Sequence, residues 1–195
     1  NFHLHRSAKL EVVRNVLEQG ADFGRSSVGG KRKVQIEFVS ANPTGPLHVG
    51  HGRGAAYGAS LCSLMAFAGW DVTREYYVND AGRQMDILAT SAWLRYLELH
   101  DHRVAFPPNG YQGDYVRSMA MEMKIAHGDK YVRSAAEVLE GTPGLPPPDR
   151  ADDDAKLQRE THLDALIANA KRLLGEDWNY VHNHVLTEQL EDCRS

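Results

Sequence analysis

SANPTGPLHVGHGRG, residues 40–54 of the 195-residue chain, marks the point at which a predicted strand gives way to a predicted helix. The preceding run VQIEFV, residues 34–39, is typical of a strand. Two prolines, Pro43 and Pro46, interrupt strand pairing, and a helix is predicted to begin near His48 or Val49. The free N–H groups at the start of such a helix favour an anion, and phosphate is the obvious candidate.

Two histidines, His48 and His51, are three residues apart at this predicted helix start. That spacing places both imidazoles on the same side of a helix, so both can reach one bound group. If the group is a triphosphate, they can donate hydrogen bonds to oxygens that gain charge when the α-phosphorus is attacked. Each such donor is worth about 3 kcal/mol. The His-Glu-x-x-His pattern of zinc proteases is absent, so no metal site is predicted here. Packing histidines are the alternative, but the prolines, glycines and preceding strand favour a ligand site.

The residues after the motif predict an α/β fold. A small-residue helix over about 50–68, ended by Gly69, is followed by a second strand over 72–78. This order of strand, helix and strand is typical of a doubly wound nucleotide-binding fold with parallel strands. Three helical stripes follow: Met85, Leu88, Ala92, Tyr96 and Leu99; Tyr115, Met119 and Met123; and Leu157, Leu163, Leu166, Ala170 and Leu173.

The flanking segments carry weaker signals. Ser7 is a candidate N-cap for a helix with a stripe of Leu10, Val13 and Leu17. The run 31–33, Lys-Arg-Lys, is either a solvated loop, which we favour, or a phosphate-facing edge. Residues 141–148 are too rich in glycine and proline for regular structure, and the acidic run 152–154 is expected at a helix N-terminus rather than around a metal.

We divide the chain into an N-terminal helix and linker (1–30), the first half of a nucleotide-binding domain (31–100) and a helical region (101–195).

The composition of the whole chain, 42% hydrophobic and 25% charged with a net charge of −4, is that of an ordinary soluble protein without a general nucleic-acid or membrane signature. No bilayer-spanning run or signal peptide is seen, so a cytosolic location is expected. Cys62 and Cys193 are expected to be packing residues. The start at Asn1 and the helical last residues suggest a piece of a longer protein.

Glu37 is the second informative residue, because it lies in an otherwise apolar strand. A parallel sheet would bury that strand on both faces, and a buried carboxylate needs a proton or a cationic partner. Arg74 on the neighbouring strand could supply the charge, or a cationic ligand could. A guanidinium would suit the carboxylate because its N–H groups match both oxygens.

The residues 34–54 and the later sequence YYVNDAGRQ, residues 76–84, resemble the catalytic domain of bacterial arginyl-tRNA synthetases. These are class I aminoacyl-tRNA synthetases, and residues 48–51 correspond to their first signature, His-x-Gly-His. The resemblance implies a partial Rossmann-like class I synthetase fold, followed by a mostly helical insertion or connecting region that is incomplete at its C-terminus.

For function, the resemblance implies that arginine and ATP, with Mg²⁺, give arginyl adenylate, and that the arginyl group then passes to tRNA(Arg). His48 and His51 would stabilise the transition state at the α-phosphate, and Gly50 would let ATP lie against the helix start. Glu37 would hold the guanidinium, while Ser40 and Asn42 would hold the amino-acid end. We assign no protein ligand to Mg²⁺. A cytoplasmic, monomeric parent enzyme is expected.

The second family motif includes Asn79, Asp80, Gly82 and Gln84, to which the resemblance gives no specific role. No Lys-Met-Ser-Lys-like signature occurs in the chain, and no lysine precedes His48 in residues 44–47. The isolated chain is therefore expected to be inactive. Two other classes stay open: a small nucleotidyltransferase that uses the same turn on another acceptor, and a non-catalytic synthetase paralogue that binds tRNA or a protein.

Overall fold

The computed structural model of the chain describes residue 3 and residues 5–194, except for the side chains at positions 6, 9 and 192–194. The packing role expected of Cys193 therefore lies outside the described residues, whereas Cys62 is buried as expected. The chain forms two compact units. One consists of the chain up to Ser40 together with His48–Tyr77, and the other of Ala41–Leu47 and everything from Val78 onward.

The first unit is built on two parallel strands and the helix between them. In chain order its elements are helix α1 (Arg6–Gln19), a 3₁₀ turn (Gly20–Asp22), strand β1 (Lys33–Glu37), helix α2 (Val49–Phe67) and strand β2 (Asp71–Glu75). The strands pair in register from Lys33 opposite Asp71 to Glu37 opposite Glu75. Helix α2 packs on both strands. The predicted order of strand, helix and parallel strand is confirmed.

Helix α1 begins differently from the prediction. Its N-cap is His5, whose Nδ1 accepts the Ser7 backbone N–H at 3.4 Å, so the prediction that Ser7 caps the helix is wrong. The helix ends at Gln19, and Gly20 is its C-cap. Its apolar stripe is exposed to solvent, with exposed fractions of 65%, 55% and 78% at Leu10, Val13 and Leu17.

Strand β1 ends two residues earlier than predicted because the backbone leaves the extended conformation. Val39 and Ser40 have φ values of 68° and 43°, in the left-handed region that non-glycine residues rarely occupy. Such a conformation costs about 1–3 kcal/mol per residue and is common beside ligand sites. The predicted second strand was also too long, since β2 ends at Glu75 rather than at Val78.

Helix α2 approaches β1 closely at Gly58. A Cβ atom added to Gly58 would lie 2.2 Å from the ring of Phe38, which directly follows β1. The absence of a side chain at Gly58 thus lets the helix pack closely on the sheet. At Gly54, one turn earlier, the same added atom would meet nothing within 4 Å.

The second unit is helical. It contains α3 (Arg83–Leu99), α4 (Asp114–His127), the short α5 (Ala135–Val138), α6 (Asp153–Leu174) and α7 (Asp177–Arg194). The three predicted stripes are confirmed in α3, α4 and α6, except that Leu157 is 67% exposed. Helix α3 packs with α4, α6 and α7, so residues 83–99 group with the later helices, in the unit that also contains Ala41–Leu47.

Two buried aromatic side chains in the core of this unit donate hydrogen bonds to backbone carbonyls. The Trp93 indole donates to the Tyr131 carbonyl at 2.9 Å, and the Tyr96 hydroxyl donates to the Gly128 carbonyl at 2.7 Å.

Asp152 caps α6 by accepting the Ala155 N–H at 2.8 Å, as expected for the acidic run. Residues 141–148 have no regular structure beyond turns, as predicted. No helix in the described part of the chain is long and apolar enough to cross a membrane.

The contact between Gly58 and Phe38 can be tested by substitution. Gly58→Ala should lower the free energy of unfolding by about 1–3 kcal/mol, because the new methyl group overlaps the Phe38 ring. Gly54→Ala in the same helix is the matched control, and it should be neutral or stabilise by up to about 1 kcal/mol. Urea unfolding followed by circular dichroism measures both. Equal effects of the two variants would show that the close approach at Gly58 is absent.

Candidate functional site

Helix α2 is capped by the two histidines of the motif. His48 is the N-cap residue, and its Nδ1 accepts the Gly50 backbone N–H at 3.1 Å. His51 reaches back, so that its Nδ1 accepts the His48 backbone N–H at 3.2 Å. The two rings stack with their centroids 3.8 Å apart. The side chains thus satisfy two N–H groups that a helix start leaves without partners.

This reciprocal cap determines where the imidazole protons lie. A neutral imidazole has one N–H donor and one acceptor nitrogen, and in both rings Nδ1 is the acceptor. The proton of each neutral ring is therefore on Nε2. Because the rings stack, the first turn of α2 presents two imidazole N–H donors side by side. His48 is exposed and His51 half-buried, so both donors can reach a ligand.

Gly50 leaves room for this arrangement. A Cβ atom on Gly50 would lie 2.9 Å from Cε1 of His48, so any side chain there would push the imidazole away from the helix start. The structure thus gives Gly50 a role in seating His48, in addition to the contact with ATP expected from the sequence. No atom of the described residues lies within 4 Å of a Cβ placed on Gly52, so the surface beside the histidines is open.

Glu37 lies at the carboxyl end of β1 and is exposed, so the prediction that it is buried is wrong. The physical reason is that the sheet has only two strands within the described residues, which leaves alternate positions of β1 facing solvent. Arg74 is not its partner, because Arg74 lies opposite Ile36 and donates to the Ser63 hydroxyl at 3.4 Å. No cationic side chain in the described part of the chain forms an ion pair with Glu37.

The neighbour of Glu37 across the sheet is another carboxylate. Glu37 pairs in register with Glu75 on the parallel strand β2. Residues paired in this way project from the same face of the sheet, and like charges placed opposite each other are destabilising. A cation bound at this end of the two strands would remove that repulsion.

Ser40 is held at the turn that follows β1. Its hydroxyl oxygen accepts the Tyr77 backbone N–H at 3.1 Å, and its own N–H donates to the Phe38 carbonyl at 3.1 Å. With its oxygen engaged as an acceptor, the hydroxyl can still donate its hydrogen to a ligand. The unusual backbone of Val39 and Ser40 is what turns this side chain back toward the end of β2.

Asn42 belongs to the second compact unit, where it forms hydrogen bonds with two residues of the second sequence motif. Its Nδ2 donates to Oε1 of Gln84 at 2.6 Å, and its Oδ1 accepts Nδ2 of Asn79 at 3.1 Å. These contacts give Asn79 and Gln84 a role that the sequence did not indicate. Another residue of that motif, Arg83, pairs instead with Glu160 and Asp164 of α6.

Tyr115 is a residue that sequence reasoning placed only in a core stripe. Its hydroxyl donates to the Thr44 carbonyl at 2.8 Å. A Cβ atom placed on Gly45 would lie 3.2 Å from the Tyr115 hydroxyl oxygen. Burial raises the pKa of Tyr115 to about 12, so the phenol stays a neutral donor throughout the physiological range. Tyr115 therefore anchors the segment 41–47, which carries Asn42. The one sequence signal for this contact was Gly45 beside Thr44, because a glycine lets another side chain approach the backbone closely.

A family model described as "tRNA synthetases class I (R), catalytic domain" matches residues 12–122 of the chain. The chain belongs to this family. All six proposed site residues and the additional residues Asn79, Gln84 and Tyr115 lie within the matched part.

Individual members of the class I (R) synthetase family are also similar to the chain over its whole length. It is 72% identical to an arginine–tRNA ligase of Dechloromonas aromatica and 66% identical to one of Azoarcus, covering 100% of this chain and 33% of each relative. A solved structure from Campylobacter jejuni, assigned as an arginyl-tRNA synthetase, superposes with a TM-score of 0.55 at 29% identity. That superposition covers 87% of this chain and 34% of the other. The chain thus spans about a third of the length of these relatives.

Two substitutions of His48 test how much its cap stabilises α2, independently of ligand binding. His48→Ala removes the acceptor for the Gly50 N–H and should lower the free energy of unfolding by about 1 kcal/mol. His48→Asn keeps a side-chain acceptor at the N-cap and should stay close to the parent protein. Thermal unfolding followed by circular dichroism measures the difference. If both variants melt together, the His48 ring does not cap the helix.

Proposed function

We propose that the chain is the N-terminal part of the catalytic domain of an arginine–tRNA ligase, and that the complete protein uses ATP to join arginine to tRNA(Arg). The observation that carries the proposal is the reciprocal cap at the start of α2, which leaves Nε2 of His48 and of His51 as donors, in a chain of the class I (R) synthetase family. The relatives named above are arginine–tRNA ligases, which supports arginine as the amino acid.

In the first step, a carboxylate oxygen of arginine attacks the α-phosphorus of ATP. A new C–O–P linkage forms, the bond from the α-phosphorus to the bridging oxygen of the β-phosphate breaks, and pyrophosphate leaves. Negative charge grows on the α-phosphate oxygens as the reaction proceeds. His48 and His51 are already held as donors by their contacts with the backbone, so they stabilise this charge without reorganising.

In the second step, a hydroxyl oxygen of the terminal ribose of tRNA(Arg) attacks the arginyl carbonyl and forms an ester. The bond from the carbonyl carbon to the phosphate oxygen breaks, AMP leaves with that oxygen, and the hydroxyl proton is released to solvent. Mg²⁺ bound to ATP would neutralise charge on the phosphates. We assign no side chain of this chain to the metal.

Arginine is recognised by charge at one end and by hydrogen bonds at the other. The exposed Glu37, opposite Glu75 and without a protein cation among the described residues, suits a guanidinium, which donates to both oxygens of a carboxylate. Ser40 and Asn42 retain free hydrogen-bonding capacity for the amino and carboxylate groups. A guanidinium bound there would offset the repulsion expected between the paired Glu37 and Glu75.

The test is arginine-dependent exchange of pyrophosphate into ATP, with tRNA present, by the protein translated from the complete reading frame around this chain. His51→Asn should lower the exchange rate about 100-fold, the usual effect of removing one preorganised donor. The amide oxygen of the substituted side chain can still accept the His48 N–H, so the helix cap should persist. His3→Asn, at an exposed histidine in the N-terminal segment, is the control and should leave the rate unchanged.

Exchange that proceeds equally well without arginine would contradict the proposal and favour another nucleotidyltransferase. Absence of exchange in the parent protein, with tRNA binding retained, would favour a non-catalytic paralogue. An undiminished rate in His51→Asn would remove the assigned role of the histidines.

A further inference from the structure

We propose that Asn79 and Gln84 fix the orientation of the Asn42 carboxamide. This orientation determines which side of the carboxamide faces the carboxylate of the amino acid and which side faces its ammonium group. The proposal rests on the function proposed above, in which Asn42 binds the amino-acid end of arginine. It assigns a positioning role to two residues of the second motif that neither the sequence nor the family resemblance explained.

The three side chains form a chain of hydrogen bonds with a direction. Asn79 donates to Oδ1 of Asn42 at 3.1 Å, and Nδ2 of Asn42 donates to Oε1 of Gln84 at 2.6 Å. Asn79 lies between β2 and α3, Gln84 lies in the first turn of α3, and all three residues belong to the second compact unit.

The contacts use half of the hydrogen-bonding capacity of Asn42. A carboxamide has two N–H donors and two oxygen lone pairs. Gln84 takes one donor and Asn79 takes one lone pair, which leaves one N–H and one lone pair. Asn42 is exposed, so these remaining groups are accessible to a ligand.

The remaining groups match the two charged ends of an amino acid. Its carboxylate accepts hydrogen bonds and its ammonium group donates them. The free N–H of Asn42 suits the carboxylate, and the free lone pair suits the ammonium group. A flipped carboxamide would present the same groups on exchanged sides, and the torsion that controls the flip is soft. Asn79 and Gln84 are carboxamides too and could each present either group. In the structure position 84 presents an acceptor and position 79 a donor, and this pair holds Asn42 in one of the two orientations.

Two variants that each add one carboxylate distinguish the directions. Gln84→Glu supplies only acceptors, which matches the role of Gln84. Asn79→Asp also supplies only acceptors, which opposes Oδ1 of Asn42 and favours the flipped carboxamide. Because both variants add the same charge to the same network, a difference between them reports the hydrogen-bond direction. Gln84→Leu, similar in size but without an acceptor, completes the set.

The readout is the KM for arginine in ATP–pyrophosphate exchange with tRNA, measured on the complete protein. We expect the KM of Asn79→Asp to exceed that of Gln84→Glu about tenfold. The KM of Gln84→Leu should also exceed that of Gln84→Glu. In each variant kcat should change less than KM. The reverse order, or an equal KM in all three variants, would overturn the proposal. If Asn79→Asp fails to fold, as thermal unfolding would show, the comparison of Gln84→Glu with Gln84→Leu decides.

The parent protein in the same assay separates the two levels of inference. Arginine-dependent exchange by the parent together with the wrong order of KM values overturns only the role of Asn79 and Gln84. Absence of arginine dependence in the parent overturns the proposed function and this inference with it.

Discussion

His48 and His51 close the first turn of α2 with their own side chains, and the chemistry of the site depends on that cap. Each imidazole uses Nδ1 to accept a backbone N–H, so each must present its proton at Nε2. A residue that binds a ligand usually needs other side chains to orient it. Here the helix start itself orients both donors, and the glycine between them leaves the space that the first ring occupies.

The segment before the cap is constrained at several points. Val39 and Ser40 take up strained backbone angles that end β1, and the Ser40 hydroxyl oxygen accepts a hydrogen bond from the backbone beyond β2. Within the second unit, Tyr115 holds Thr44, while Asn79 and Gln84 hold Asn42. Within each unit, the part of the segment that belongs to it is thus held by hydrogen bonds from residues far away in the sequence. Such fixing is what a site needs if its donors are to be ordered before the ligand arrives.

Local sequence patterns were enough to predict the helix start at His48, the parallel strands and the helical stripes of the second unit. These features follow from proline, glycine and hydrophobic spacing over a few residues. The exposure of Glu37 could not be predicted, because it depends on how many strands flank β1, and the described sheet has two. The N-cap at His5 was missed because serine is the usual capping residue and histidine is not.

The contacts of Asn42 and Tyr115 could not be predicted for a different reason. The hydrogen bond of Asn42 to Gln84 joins residues 42 positions apart, and that of Tyr115 to Thr44 joins residues 71 positions apart. No periodicity or turn signal links such pairs, since they depend on how whole helices pack. The family resemblance marked the second motif as important, but only the side-chain geometry distinguishes Asn79 and Gln84, which bond to Asn42, from Arg83, which pairs with α6.

The most direct test of the central claim is the tautomer of the two histidines. Long-range ¹H–¹⁵N correlation spectra of the ¹⁵N-histidine-labelled protein, recorded well above the ordinary titration range of imidazole, distinguish a protonated Nε2 from a protonated Nδ1. Substitution of each histidine in turn assigns the signals. We expect Nε2–H in both rings, and His51→Ala should leave the His48 tautomer in place. A proton on Nδ1 of either ring would contradict the reciprocal cap and the pair of donors that it presents.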